Sequence, residues 1–432
     1  MKKYNTSPLS GMQELLPTEQ VVFDKLKQQI SDVYHHYGFQ SIETPLIDRT
    51  EILFAKAGGD TEKQIYRVMK TAESADSADQ ALRFDHTVPL ARYVVEHNNE
   101  LAFPFSVTQI NRNFRGERAQ RGRFREFYQC DADIIGRDKL PIAYDAQVIA
   151  CIYEALKAFK LPNMQVRISN RKVLSGFLAS LGLTEQSGEV SEIIDHIEKV
   201  PIDVTREKLT KLNIASDSIE KIIKFTEING DYATVEQKLT ELLGDIAPIR
   251  EGLDELKTVF TLLNAQDSLD DVIIDLMIIR GLDYYTGTVF ETFVTDHRDL
   301  GSISSGGRYE NLASNFSNQS YPGVGGSIGL TRLFFVLKEC GLLNFDEEKK
   351  PVDICLLPLS ENEFEFTLQV AAKLREQDKT TDIDFETRKL GARMNRAAKI
   401  AEAAIVIGDS EAASGELELK NLKTGEKTSI KL

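Results

Sequence analysis

The sequence has few of the groups that announce metal or nucleophilic chemistry. Its four cysteines, at positions 130, 151, 340 and 355, form no Cys-x-x-Cys pair, and its six histidines form no His-Glu-x-x-His spacing. This argues against a zinc site or a disulfide framework. Any metal in use is a hard ion held by oxygen. No Ser/His/Asp or Cys/His arrangement stands out, which argues against a covalent protein nucleophile. No run of about eighteen apolar residues lacks a charge. The start, MKKYNTSPLSGMQELL, has lysines with no apolar run behind them. The expectation is a cytoplasmic protein with no membrane association.

What is present is a chain of 432 residues, 42% hydrophobic, with a formal charge of −15. That length predicts two or three domains with a full core. The acidic balance argues against a general nucleic-acid coat, but net charge says nothing about one pocket. Two patches oppose the sum. Six arginines lie between Asn111 and Glu126, interleaved with aromatics, and Arg388 to Lys399 carries five basic residues and no acid.

Between Phe105 and Ile135 the pattern predicts two strands around a Gly-rich turn. Strand alternation puts Gln109, Asn111, Asn113 and Arg115 on one face of the first. In the second, Phe127, Gln129, Asp131 and Asp133 share a face, while Tyr128, Cys130, Ala132 and Ile134 pack behind. A floor this rich in amides, carboxylates and guanidinium groups suits a ligand better than solvent. Arg115 and Arg123 flank the turn, where an arginine fork fits a phosphate in two bonds; the competing reading is a solvated hairpin with surface ion pairs. Asp85 and Thr87, two apart in LRFDHTVPLARYV, share a face of an extended stretch and suit an ammonium group, or else serve as turn and cap. His86 between them is taken as incidental. Arg280 ends an apolar strand before a glycine, with Tyr284 and Tyr285 beyond, and needs an anion or an internal acid. Arg332 opens a helix behind GVGG.

Pro45 predicts an edge piece after the first helix. Residues from about 171 to 265 read as an inserted helical module, 341–350 as a linker, and the remainder as a parallel-type α/β domain closed by a hairpin through Thr424-Gly425.

Taken in order, LRFDHT, FRGERAQRGRFREFYQCDADIIG, RGLDYYTGTVFE and GGRYENL resemble the class II aminoacyl-tRNA synthetases and, within them, the histidyl-tRNA synthetase family, over nearly the whole chain. The resemblance implies an α+β fold: a catalytic domain over residues 1–340 with an antiparallel sheet flanked by helices, carrying the inserted module, and a C-terminal α/β anticodon-binding domain over 351–432. It implies a homodimer that activates L-histidine with ATP and Mg²⁺, with no protein-held metal, and charges tRNA(His). By resemblance Arg115 holds the α-phosphate, Glu117 and its loop receive the adenine, Phe127 stacks on it, Arg123 faces ATP and Arg332 holds the terminal phosphates. Arg280 is the catalytic arginine beside the α-phosphate and the substrate carboxylate. Asp85, Thr87 and Gln129 bind the α-amino group, and Asp133, Tyr284, Tyr285 and Tyr309 surround the imidazole. Arg388, Lys389, Arg393 and Arg396 contact the anticodon side of tRNA. The alternative is the synthetase-like, catalytically inactive regulatory subunit of ATP phosphoribosyltransferase.

Overall fold

The computed structural model describes residues 4–55, 59–71, 79–157, 159–197, 200–266, 271–279, 284–343, 350–386 and 388–431. Residues 72–78, residues 344–349 of the expected linker, and Arg280 lie outside them. The chain divides into two compact units, residues 1–13 with 26–342 and residues 14–25 with 343–432.

In the first unit, nine strands form one sheet. Its order is Gln40–Ser41, Phe105–Phe114, Glu126–Ile135, Gly323–Ile328, Ser304–Tyr309, Thr288–Val294, Met164–Asn170, Val272–Asp275 and Asn229–Gly230. Pairing is antiparallel except where Gln40–Ser41 meets Phe105–Phe114 and Met164–Asn170 meets Val272–Asp275. Pro45 itself lies in neither neighbouring strand: it falls between Gln40–Ser41, at the edge of this sheet, and Ile47–Arg49, at the edge of a separate three-stranded sheet. Alternation along Glu126–Ile135 leaves Cys130, Ala132 and Ile134 fully buried on one face. They lie on the side of Tyr34, whose hydroxyl donates to the Cys130 carbonyl at 2.9 Å. Each large apolar side chain buried there contributes about 2 kcal/mol. The opposite face is left for chemistry.

Apart from the strand Asn229–Gly230, the described residues between 171 and 264 are mainly helical, running from Arg171–Ser180 to Arg250–Asn264. Asn170 caps its first helix by accepting from the Lys172 amide, Asp231 caps another through Thr234, and Phe177 stacks on Phe225 with ring centroids 4.2 Å apart.

The second unit holds a five-stranded sheet in the order Thr381–Ile383, Val352–Pro358, Ala401–Ile407, Glu416–Asn421 and Lys427–Lys431. The first three run parallel and the last two antiparallel, joined by a turn with Gly425 at φ +78°. The basic patch lies largely on the helix Leu390–Ile400, which ends where Ala401, Ala403 and Ala404 pair with the Val352–Pro358 strand. Among the described residues, no helix is long and apolar enough to cross a membrane.

Candidate active site

The polar face of the large sheet carries two adjoining cavities, one of about 960 Å³ and one of about 270 Å³. Register builds the floor of the larger. Asp131 sits opposite Ser327, Ser327 opposite Ser305, and Ser305 opposite Glu291; in the next row Asp133 faces Gly325, which faces Gly307. The glycines of GGRY and GVGG acquire a physical meaning here. An ideal Cβ on Gly325 would lie 1.8 Å from Asp133 Oδ1, one on Gly323 2.4 Å from the Tyr309 ring, and one on Gly307 2.9 Å from the Tyr285 ring. These positions are bare because side chains of neighbouring elements lie across them.

The structure brings Asp85, Thr87, Gln129, Asp133, Tyr284, Tyr285 and Tyr309 together around the larger cavity. Glu117, Arg123, Phe127 and Arg332 line the smaller, and Arg115 and Gln129 line both. Asp133 is 3% exposed, and its Oδ1 accepts from the Tyr309 hydroxyl at 2.9 Å. Burial first, and the Asp131 charge second, push its carboxyl well above the usual range; the Tyr309 bond acts the other way. Burial also raises the Tyr284, Tyr285 and Tyr309 hydroxyls, so all three stay neutral donors at physiological pH. Their rings meet edge to face, Tyr284 with Tyr285 at 5.0 Å and with Tyr309 at 6.1 Å.

Asp85 and Thr87 depart from the extended stretch expected for them. Thr87 opens the helix Thr87–Glu96, and Asp85 Oδ1 accepts from the Val88 amide at 3.0 Å. Cap and ligand geometry therefore coexist, because a carboxylate has lone pairs for both. Burial raises the Asp85 pKa, against the pull of that amide and of Arg115. His86 is not incidental. It is fully buried, with Nδ1 3.1 Å from Asp131 Oδ2 but making no hydrogen bond there.

In the smaller cavity, Arg115 Nε donates to the Phe84 carbonyl at 3.3 Å, with the guanidinium 4.4 Å over Phe84 and 5.1 Å over Phe127. Arg332 ties two loops, donating to the carbonyls of Gly122 and Ser302 at 3.0 Å each. Burial, then Arg123, lowers its pKa, with Arg115 acting in the same direction and Glu117 and Glu291 opposing. Cations held together against their own repulsion favour an arriving polyanion. Glu117 is paired with Arg123 at 3.4 Å, so the two expected nucleotide contacts also hold each other. The rest of the first strand's polar face has a structural use: Gln109 Oε1 accepts from the Thr44 hydroxyl at 2.8 Å, and Asn111 donates to Glu43.

Asp131, Ser327 and Glu291 had no role in the sequence reading, yet all three line the larger cavity. Alternation had already put Asp131 between Gln129 and Asp133; Ser327 and Glu291 needed the register. Leu174 and Ser191 of the helical segment also line this cavity.

In the second unit one expectation is corrected. Arg393 is 3% exposed and turned inward, donating to the carbonyls of Pro358, at 2.7 Å, and Asp384. It cannot reach a ligand. Arg396 pairs with Asp382 at 2.7 Å and Arg388 with Glu386 at 3.1 Å, while Lys389 is exposed.

Comparison with known proteins agrees with this geometry. The sequence model described as histidyl-tRNA synthetase matches residues 11–333, and the one described as anticodon binding domain matches 353–432. Histidine–tRNA ligases from Clostridium tetani and Finegoldia magna are 42% and 40% identical, over 100% and 99% of this chain and 98% and 97% of theirs. The crystal structure of a histidyl-tRNA synthetase from a Nostoc species superposes with a TM-score of 0.83 at 39% identity, covering 99% of this chain and 97% of that one. A structure titled ATP phosphoribosyltransferase regulatory subunit/histidyl-tRNA synthetase, from Bacillus halodurans, is 21% identical with a TM-score of 0.77, which speaks for the fold alone. The chain thus belongs to the histidyl-tRNA synthetase family.

Proposed function

We propose that histidine binds in the larger cavity and the ATP phosphates in the smaller, with the reacting carboxylate and α-phosphate meeting at Arg115. The family's reaction is the activation of histidine by ATP to histidyl-adenylate and pyrophosphate, followed by transfer to the 3′-terminal adenosine of tRNA(His). One observation carries the assignment of cavities: Arg115 lines both, with the carboxylates and tyrosines on one side and Arg123 and Arg332 on the other.

Attack of a carboxylate on an α-phosphate brings two anions together. In this reading catalysis comes from positioning and charge compensation by Arg115, with Arg280 as the second cation. Asp85, Thr87 and Gln129 take the α-ammonium group. Asp133 accepts one imidazole N–H, while the neutral tyrosines Tyr284, Tyr285 and Tyr309 close the ring pocket. A site that satisfies the ring's polar atoms rejects isosteres lacking them, because its own buried groups would be left unpaired. Phe127 and Glu117 receive the adenine, and Arg123 and Arg332 the outer phosphates. Among the described residues no three metal-ligating side chains are grouped to hold an ion alone. Magnesium commonly needs only one or two carboxylates beside the phosphates. Glu291, which lines the larger cavity and whose charge reaches Arg332, fits that demand. The ion would supply further charge neutralisation.

In this reading residues 1–340 form the catalytic domain, 341–350 a linker and 351–432 the anticodon-side domain, where Arg388, Lys389 and Arg396 contact tRNA. The enzyme works as a homodimer in the cytoplasm. The test is ATP–pyrophosphate exchange with each amino acid in turn. Exchange with histidine alone is expected, and exchange with none, or with another amino acid, would reject the cavity assignment.

A further inference from the structure

Gln129, given the α-ammonium group in the reading above, is not held by packing alone. Its Oε1 accepts from Asn113 Nδ2 at 2.8 Å, and its Nε2 donates to Ser327 Oγ at 2.9 Å. Ser327 Oγ donates in turn to Asp131 Oδ1 at 2.5 Å. Asp131 is 4% exposed, and the fully buried His86 ring stands 3.1 Å from its other oxygen.

The chain of bonds has one possible direction. Along it the Ser327 hydroxyl donates its single proton to Asp131 Oδ1. That leaves the Ser327 oxygen to accept, and the group of Gln129 facing it must be the N–H₂. The amide oxygen is therefore turned the other way, toward Asn113. Of the two ends of the amide, only this oxygen can accept from an ammonium ion, and it retains a second lone pair for that purpose.

We propose that Asp131 and Ser327 are positioning residues for histidine binding: they fix the orientation of the Gln129 amide so that its oxygen is the end offered to the substrate's α-ammonium group. The inference rests on the assignment of Gln129 made above. It explains why a carboxylate stands on the floor beside Asp133, where it raises that residue's proton affinity. It also explains why the floor strand Gly323–Ile328 carries a serine among glycines.

The experiment measures KM for histidine and for ATP in pyrophosphate exchange, alongside inhibition by imidazole-4-propionate, which keeps the ring and carboxylate but lacks the amino group. Ser327→Ala removes the link and is expected to raise KM for histidine about tenfold, the effect of one lost charge-assisted hydrogen bond, with KM for ATP unchanged. Inhibition by the des-amino analogue is expected to be unchanged too. Ser327→Thr, which keeps the hydroxyl, should recover most of the loss. Ser327→Cys, nearly isosteric and a weak donor, carries the same test where the alanine variant does not fold. Equal weakening of histidine and the analogue would reduce the chain to scaffolding and overturn the proposal, as would an unchanged KM for histidine. Gln129→Ala separates the two levels: if it leaves KM for histidine unchanged, the assignment of Gln129 itself fails, whereas a raised KM there with a silent Ser327→Ala removes only the relay.

Discussion

Two segments of this chain are rich in arginine and poor in acid, and they use their guanidinium groups in opposite ways. In the hairpin, Arg112 and Arg121 pair at the rim with Glu126 and Glu339, and Arg123 pairs with Glu117, while Arg115 and Arg332 are bound through backbone carbonyls and line a cavity. Carbonyls orient a guanidinium without cancelling its charge. In the C-terminal helix the arginines meet Asp382, Asp384 and Glu386 of the adjoining strand and loop. The same contrast divides the buried acids. Asp145 faces Arg308 at 2.7 Å and Asp384 faces Arg393, whereas Asp133 accepts from a neutral tyrosine. Counting charges along a sequence does not separate the two uses. What separates them is whether the opposing element adds a carboxylate to the carbonyls, as Asp384 does for Arg393.

Substitutions can break or sharpen this contrast. The largest effect is expected from Arg115→Ala, which should lower kcat for pyrophosphate exchange by about 10²–10³-fold, in line with removing one preorganised donor from a developing charge. The melting temperature should move little. Arg393→Ala should do the reverse: it takes the donor from the carbonyls of Pro358 and Asp384 and leaves the buried Asp384 carboxylate with Arg396 at 3.6 Å, costing about 3 kcal/mol of stability in urea unfolding, with exchange by the surviving folded enzyme unaffected. If Arg393→Ala left stability intact and impaired tRNA charging, the division between the segments would fail.

Asp133→Asn sharpens the contrast among acids. The folded-state pKa of Asp133 is raised, so the stability tied to its proton is fully present below the unfolded value of about 3.9 and is lost as pH rises through the folded value. Asparagine avoids that loss. The variant should lose histidine-dependent exchange yet melt higher than wild type at pH 7, and the two melting temperatures should converge as pH falls toward 4. The smallest effect belongs to Lys389→Ala, expected to weaken tRNA binding by less than about tenfold and to reduce the salt dependence of binding by about one unit of slope.

Much of the active site could be read in the sequence because period two in a strand is a strong local rule. It put Gln129, Asp131 and Asp133 on one face and Cys130, Ala132 and Ile134 on the other. Arg332 at a helix start behind glycines was legible for a similar reason, since small residues and the apolar helical repeat adjoin. The inward turn of Arg393 was not legible, because its partners Pro358 and Asp384 come from other segments, which tertiary packing brings to it. His86 was missed because a lone histidine between two cap-like residues gives no sign of the acid it will meet. The share of the cavity wall contributed by Leu174 and Ser191 was hidden for another reason: their helices show only an amphipathic repeat, and which stripe faces the sheet is decided by the fold.

Gly325 has a bearing on how the specificity of this enzyme could be altered. Its missing Cβ is filled by the carboxylate of Asp133 from the adjoining strand, so the pocket is an impression moulded in two strands at once. Enlarging or reshaping the recess by exchanging Asp133 alone would leave a hollow over a bare backbone. Decorating Gly325 alone would evict the acid. In the reading proposed above, a change of substrate at this recess therefore calls for paired exchanges at positions 133 and 325.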